Sequence, residues 1–152
     1  SNNKGWRVNA HEIEEGVIYK DSNVTVEAFE VEHGTMSNCF GYRFTTPDKV
    51  IVLSGDTRPC ENLVKYAEGA DILIHEVYSK AGFEKRSDAW KKYHSRHHTS
   101  AVELGEIASK AKPKLLILYH ILYWGSTDQE LLDEIKTKYN GEVKVGKDLG
   151  IY

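Results

Sequence analysis

At Pro59 the hydrophobic period of this chain changes, and few folds accommodate both halves. Before it, Val24 to Val31 alternates, with Val24, Val26, Ala28 and Val31 set against Thr25, Glu27 and Glu30, a period close to two. Phe40 to Phe44 and Val50 to Leu53 are further short β-type runs. Turn residues separate the runs: Asp21-Ser22-Asn23, Gly34 to Asn38 and Thr46-Pro47-Asp48. That spacing predicts an antiparallel meander. After Pro59 the pattern becomes strand and helix in turn. Glu61 to Glu68 reads as a helix closed by Gly69, and Ile72-Leu73-Ile74 as a buried strand. A polar loop of about twenty residues leads to a helix from about Ser100 to Lys110, stopped by Pro113, and then to the strand Leu115 to Tyr119. The last helix, about Thr127 to Tyr139, opens with Ser126-Thr127 ahead of Gln129 and Glu130 and ends at Asn140-Gly141. Val143-Lys144-Val145 and Ile151 are short strand candidates. A meander followed by β-α repeats is an α/β or α+β chain.

Composition narrows the function classes. At 152 residues, 40% hydrophobic and 28% charged, the chain has the mix of one globular domain. Its longest apolar run, Leu115 to Tyr119, is far too short to cross a bilayer, and the N-terminus lacks a basic-then-apolar secretory order. No membrane association is expected. Cys39 and Cys60 show no CxxC spacing, which argues against a disulfide framework or a thiolate zinc knuckle and favours a reducing, cytoplasmic setting. A net charge of −3 speaks against a dedicated nucleic-acid binder. The basic stretch Lys80 to Arg96 reads as a solvated loop rather than a phosphate tract.

Chemistry-bearing residues gather at predicted strand ends, where α/β scaffolds present their sites. His33 follows a strand and precedes Gly34, which lets the backbone turn an imidazole into a cleft. Asp56, in Ser54-Gly55-Asp56-Thr57, sits in a strand-to-helix turn, where a carboxylate caps a helix or bridges two cations. His120 ends the strand Leu115 to Tyr119. Glu76 ends the strand that follows Asp71, and His98 opens the next helix, so carboxylate and imidazole could meet as an acid-base pair. Each has an ordinary reading taken singly: a strand-end histidine, a helix cap, a surface glutamate. Their joint order is the specific signal. Tyr42, Tyr78, Trp90, Tyr93, Tyr123 and Trp124 include candidates for a substrate wall, with aromatic packing the alternative for any one.

Ala10 to Tyr42 (with Val-Glu-His-Gly and Phe-Gly-Tyr-Arg), Leu53 to Thr57, Ala70 to Glu76 and His98 to His120 together resemble the second half of a metallo-β-lactamase-superfamily hydrolase of the ribonuclease Z type. The resemblance covers nearly the whole chain. It implies the C-terminal half of an αββα sandwich, one mixed sheet with helices on its outer face. It further implies His33, Asp56 and His120 as metal ligands, with Asp56 bridging. Glu76 and His98 would be the pair that protonates the leaving group. Two zinc ions per complete domain, or manganese or iron, would activate a hydroxide that cleaves a phosphoester or other ester.

Three departures shape the expectation. The family's His-x-His-x-Asp-His loop is absent, and three ligands are too few for two metals, so residues 1–152 read as a partial, inactive domain. Phe44 to Lys49 replaces the long arm of tRNA-processing members, and Ile121-Leu122-Tyr123-Trp124 replaces their His-x-Ser-x-Arg-Tyr ending. A small ester or phosphoester substrate is therefore expected over tRNA. A half sandwich would leave a sheet face bare, so the missing N-terminal half, or self-association through that face, is the expected partner. The competing reading is a non-catalytic interaction module that keeps the scaffold and has lost the metal loop.

Overall fold

The computed structural model describes Gly5 and residues 8–152. Seven strands form one mixed sheet whose spatial order follows the chain: β1 (Gly16–Lys20), β2 (Thr25–Glu30), β3 (Phe40–Thr45), β4 (Val50–Leu53), β5 (Ile72–Tyr78), β6 (Leu115–Leu122) and β7 (Val143–Val145). Pairing is antiparallel from β1 to β4 and parallel from β4 to β7. The change of hydrophobic period at Pro59 is this change from hairpins to crossovers.

Five helices accompany the parallel half: α1 (Glu61–Ala67), α2 (Lys80–Glu84), α3 (Asp88–His97), α4 (Ala101–Ala111) and α5 (Asp128–Lys136). Right-handed crossovers that advance the sheet in one direction put their helices on one face. On that face Leu63 and Ala67 of α1, Leu104 and Ala108 of α4 and Leu131 and Ile135 of α5 bury Phe29, Val52, Leu73, Leu116 and Leu118. The other face carries the alternate residues. Val26, Phe44, Ile51 and Ile72 form one cross-strand row, and Tyr42, Leu53, Ile74 and Ile117 the next. Apart from Ile117, these are only half-buried.

Helix boundaries have local causes. Ser100 and Thr127 each form a capping box, with Glu103 and Glu130 respectively, satisfying N–H groups that the first turn leaves open. Pro113 lies two residues beyond the end of α4, whose C-cap Lys112 adopts φ +52°.

Two expectations are corrected here. The stretch read as a polar loop folds as α2 and α3, because its aromatic residues pack together. Tyr78 stacks on Phe83 at 5.0 Å, and Trp90 meets Trp124 edge-on at 5.3 Å. Ile151 lies outside any strand and is fully exposed. A strand unforeseen in the sequence, β1, pairs with β2 at the sheet edge, where most of its residues are exposed and its hydrophobic pattern is accordingly weak.

β2 runs in the same direction as β4, since two antiparallel steps restore direction, and β5 and β6 follow β4 in parallel. All four therefore end at one edge of the sheet, the edge where such sheets place ligands.

Candidate metal centre

His33 follows β2, Asp56 follows β4, Glu76 lies near the end of β5 and His120 near the end of β6. His98 closes α3 and enters this edge from the helical side. Asp56, His98 and His120 each bring a potential ligand atom within 4.8 Å of the others'. His120 Nδ1 is 3.5 Å from Asp56 Oδ1, and the His98 and His120 rings stack at 5.8 Å. His33 lies outside that 4.8 Å group, with its ring 5.1 Å from the ring of His98.

His120 reaches the cluster through a β-bulge. Tyr119 pairs with Glu76 and Ile121 with Val77, so His120 is an extra residue without a partner on β5. Its φ of +43° breaks the alternation that would have carried the ring to the next face position. Asp56 does not cap a helix: α1 has Cys60 at its N-cap and no side-chain cap bond. The Asp56 carboxylate is left facing His120.

His33 has a defined tautomer. Its Nδ1 lies 2.7 Å from the His97 carbonyl oxygen, which can only accept, so Nδ1 carries the proton and Nε2 keeps its lone pair. That is the arrangement a metal ligand needs. Burial draws the His33 pKa below its usual value, and nearby His98 and His97 add to this against the His97 carbonyl and Asp56.

Glu76 is wholly buried. Its Oε1 accepts the backbone N–H groups of Thr57 and Thr99 at 3.2 and 3.1 Å and lies 3.3 Å from His98 Nδ1, too far off line for a hydrogen bond. Burial raises its pKa, while His98 and the two amides pull it back. Glu76 Oε2 and His98 Nδ1 have no hydrogen-bond partner among the described residues, an arrangement that costs free energy unless a ligand completes it.

Thr57 ties the edge together, a role unassigned in the sequence although the residue sits inside the Ser-Gly-Asp-Thr motif. Its hydroxyl accepts from the Glu32 N–H and can donate its one proton to the Arg58 carbonyl at 2.7 Å or the Glu32 carbonyl at 3.2 Å, and its own carbonyl accepts from the Thr99 hydroxyl. With its N–H donated to Glu76, this one buried residue joins the segments of Glu32, Glu76 and Thr99 through hydroxyl, amide and carbonyl. His94 and His97 are also unforeseen. His94 stacks on His98 at 5.4 Å, and burial, with His98 and His97, lowers its pKa to about 4. Of the adjacent pair His97-His98, the structure brings His98 to Asp56 and His120, while His97 holds His33 through its carbonyl. Of the aromatic wall candidates, Tyr78 is buried, Trp124 packs on Trp90 and His94, and Trp90 and Tyr93 remain about half exposed.

The Asp56 carboxylate and the His120 imidazole converging at 3.5 Å, with the free Nε2 of His33 on the same edge, are a donor set that fits a divalent cation such as zinc, manganese or iron, and His98 lies beside them. The comparisons with known proteins agree in kind. The model of the Beta-lactamase superfamily domain matches residues 1–121. The ribonuclease Z of Mycobacterium sp. (strain KMS) is 31% identical over 144 residues, covering 93% of this chain and 50% of that protein. The ribonuclease Z of Mycobacterium tuberculosis (strain ATCC 25618 / H37Rv) is 26% identical, with 93% and 53% covered. The chain thus spans about half the length of the curated relatives it matches. Among solved structures, the metallo-β-lactamase fold protein YhfI from Bacillus subtilis aligns with a TM-score of 0.69 at 25% identity, covering 85% of this chain and 48% of that one. The human tRNase Z short form shares the fold, with a TM-score of 0.59 at 24% identity over 86% of this chain and 42% of its own. By sequence and by fold, the chain belongs to the metallo-β-lactamase superfamily and is ribonuclease Z-like.

Proposed function

We propose that this chain supplies one half of a metal-dependent hydrolase domain that cleaves a phosphoester or a comparable ester. The convergence of Asp56, His98 and His120 within 4.8 Å, backed by a buried Glu76, carries this reading. Asp56 and His120, with His33 beside them, would hold the metal, and further ligands would come from a preceding half of the domain. Such a metal supplies Lewis acidity, polarising the scissile group and making water acidic enough to ionise near neutral pH.

The chain's own residues do the rest. Glu76, fixed by two backbone amides, faces His98 Nδ1 at 3.3 Å and orients the imidazole, so that its other nitrogen is turned away from the buried carboxylate. His98 can then give the proton on its other nitrogen to the departing oxygen, which would otherwise leave as a costly alkoxide. Thr57 and Thr99 keep Glu76 in place.

Bis(p-nitrophenyl) phosphate turnover by the full protein, measured with its metal content, tests the reading. Asp56→Ala is expected to lose both metal and turnover. His98→Ala is expected to keep metal and lose roughly 10²- to 10⁴-fold in kcat, the usual worth of a positioned proton donor. Full activity and metal content in Asp56→Ala would overturn the assignment.

The ribonuclease Z name of the relatives raises RNA as a substrate. The β3–β4 connection is a tight turn closed by Thr46 N–H to Lys49 O at 2.9 Å, with no protruding element, which favours a smaller substrate.

A further inference from the structure

We infer that a cationic cleft beside the candidate metal centre binds a second phosphate of the substrate, one separate from the ester that is cut. The inference rests on the phosphoester reading above and names a feature its substrate must have. The cleft has a volume of about 480 Å³ and is lined by Gly34, Arg58, Lys92, Tyr93, Arg96 and His97, among others. That volume falls within the range of small-ligand sites. Among the described residues, no carboxylate lines it.

The basic stretch Lys80 to Arg96 divides by what its cations face. Lys80 and Lys91 both pair with Glu84, at 2.8 and 2.9 Å, and Arg86 lies over the rings of Trp90 and Trp124. These three are engaged within the protein. Lys92 and Arg96, one turn apart on α3, share a face, are exposed and both line the cleft. Arg58 adds a third cation to the lining, although Glu32 pairs with it. Tyr93 stacks on His97 at 4.0 Å and forms a flat wall.

The cleft and the candidate metal centre share their backbone. Gly34 lines the cleft and His33 lies next to it; His97 lines the cleft and His98 lies next to it. Gly34 N–H donates to the Arg96 carbonyl at 2.8 Å, and the His97 carbonyl holds His33. A substrate whose ester lies at the cluster can therefore place a neighbouring phosphate between Lys92 and Arg96. Arginine forks a phosphate and lysine adds a point charge, the usual division of labour at such sites. A substrate with no second anion leaves both cations unused.

The test is equilibrium binding of a phosphorothioate-linked, 5′-phosphorylated dithymidylate to the full protein, followed by fluorescence anisotropy across a salt series. Lys92→Gln/Arg96→Gln is expected to weaken binding roughly tenfold to a hundredfold, the range for charge-assisted contacts. Its affinity is expected to depend less steeply on salt than that of the parent, since two charges that salt would screen are gone. Lys110→Gln, on α4 away from the cleft, is expected to bind as the parent does. Equal affinity and slope in the double variant and the parent would overturn the inference. So would competition by inorganic phosphate as tight as binding of the dinucleotide, since the cleft would then take a free anion. Because binding is read without turnover, a protein that binds through Lys92 and Arg96 and fails to cleave phosphodiesters would overturn the phosphodiester reading and leave the cleft standing.

Discussion

Gly34 shows how a single residue can serve the candidate metal centre without bearing any chemistry. Its φ is +66°, and a Cβ built on it would lie 1.9 Å from His97 Nε2. Gly34→Ala therefore meets two costs: about 1–2 kcal/mol for a left-handed backbone and about 1–3 kcal/mol for displacing a packed ring. Gly69 is a natural control, because its φ is +64° but nothing lies within 4 Å of its would-be Cβ. Urea denaturation should find Gly34→Ala more destabilised than Gly69→Ala, and His33 should lose its tie to the His97 carbonyl. Equal losses would mean that the His97 ring yields freely. Sequence made His33, Asp56, Glu76, His98 and His120 visible as candidates because each sits in a short motif beside a strand. It could not show that His120 rides on a bulge, nor that Thr57 and Thr99 hold Glu76, because hydrogen bonds between distant segments leave no periodic trace.

At the scale of elements, the parallel half depends on how its strands begin as well as on how they end. Asp71, just ahead of β5, accepts the Val50 N–H at 2.7 Å and pairs with Lys114 at 2.7 Å, while its backbone bonds to Val50 and Leu115. One residue thus sets the register of β4, β5 and β6. Lys114 and the Val50 amide hold its carboxyl below the usual carboxylate range. A carboxyl lowered on folding contributes stability that is present above its unfolded pKa and is lost as pH falls through the folded value. Asp71→Ala should therefore lower the melting temperature at pH 7, and the gap to the parent should narrow as the pH is taken below the ordinary aspartate pKa of about 3.8. A gap independent of pH would assign the loss to packing alone. The elements with clear periods, β2 to β6 and α1, α4 and α5, were legible from sequence. β1, α2 and α3 were not: β1 is an exposed edge strand, and the helices of the basic stretch owe their formation to aromatic contacts with Trp124, more than twenty residues ahead.

The whole molecule has a one-sided core. Helices α1, α4 and α5 pack on one face of the sheet, and the rows Val26, Phe44, Ile51, Ile72 and Tyr42, Leu53, Ile74, Ile117 form the other. Contiguous apolar faces of this kind rarely stay in contact with water. With relatives about twice its length, we propose that a preceding half of the domain covers the face in the full protein, and that the 152-residue chain alone satisfies it by pairing with another copy. One double substitution separates these states by the sign of its effect. Ile51→Lys/Ile74→Lys puts two ammonium groups in the middle of both rows. In the isolated chain those groups meet water and oppose association, so light scattering should show a smaller, more monodisperse species than the parent at the same concentration. In the full protein the same groups are buried without partners, a cost of several kcal/mol, so the melting temperature should drop sharply. An isolated parent chain that stays monomeric as concentration rises would show that the face tolerates solvent. A full protein indifferent to the double substitution would show that nothing covers it.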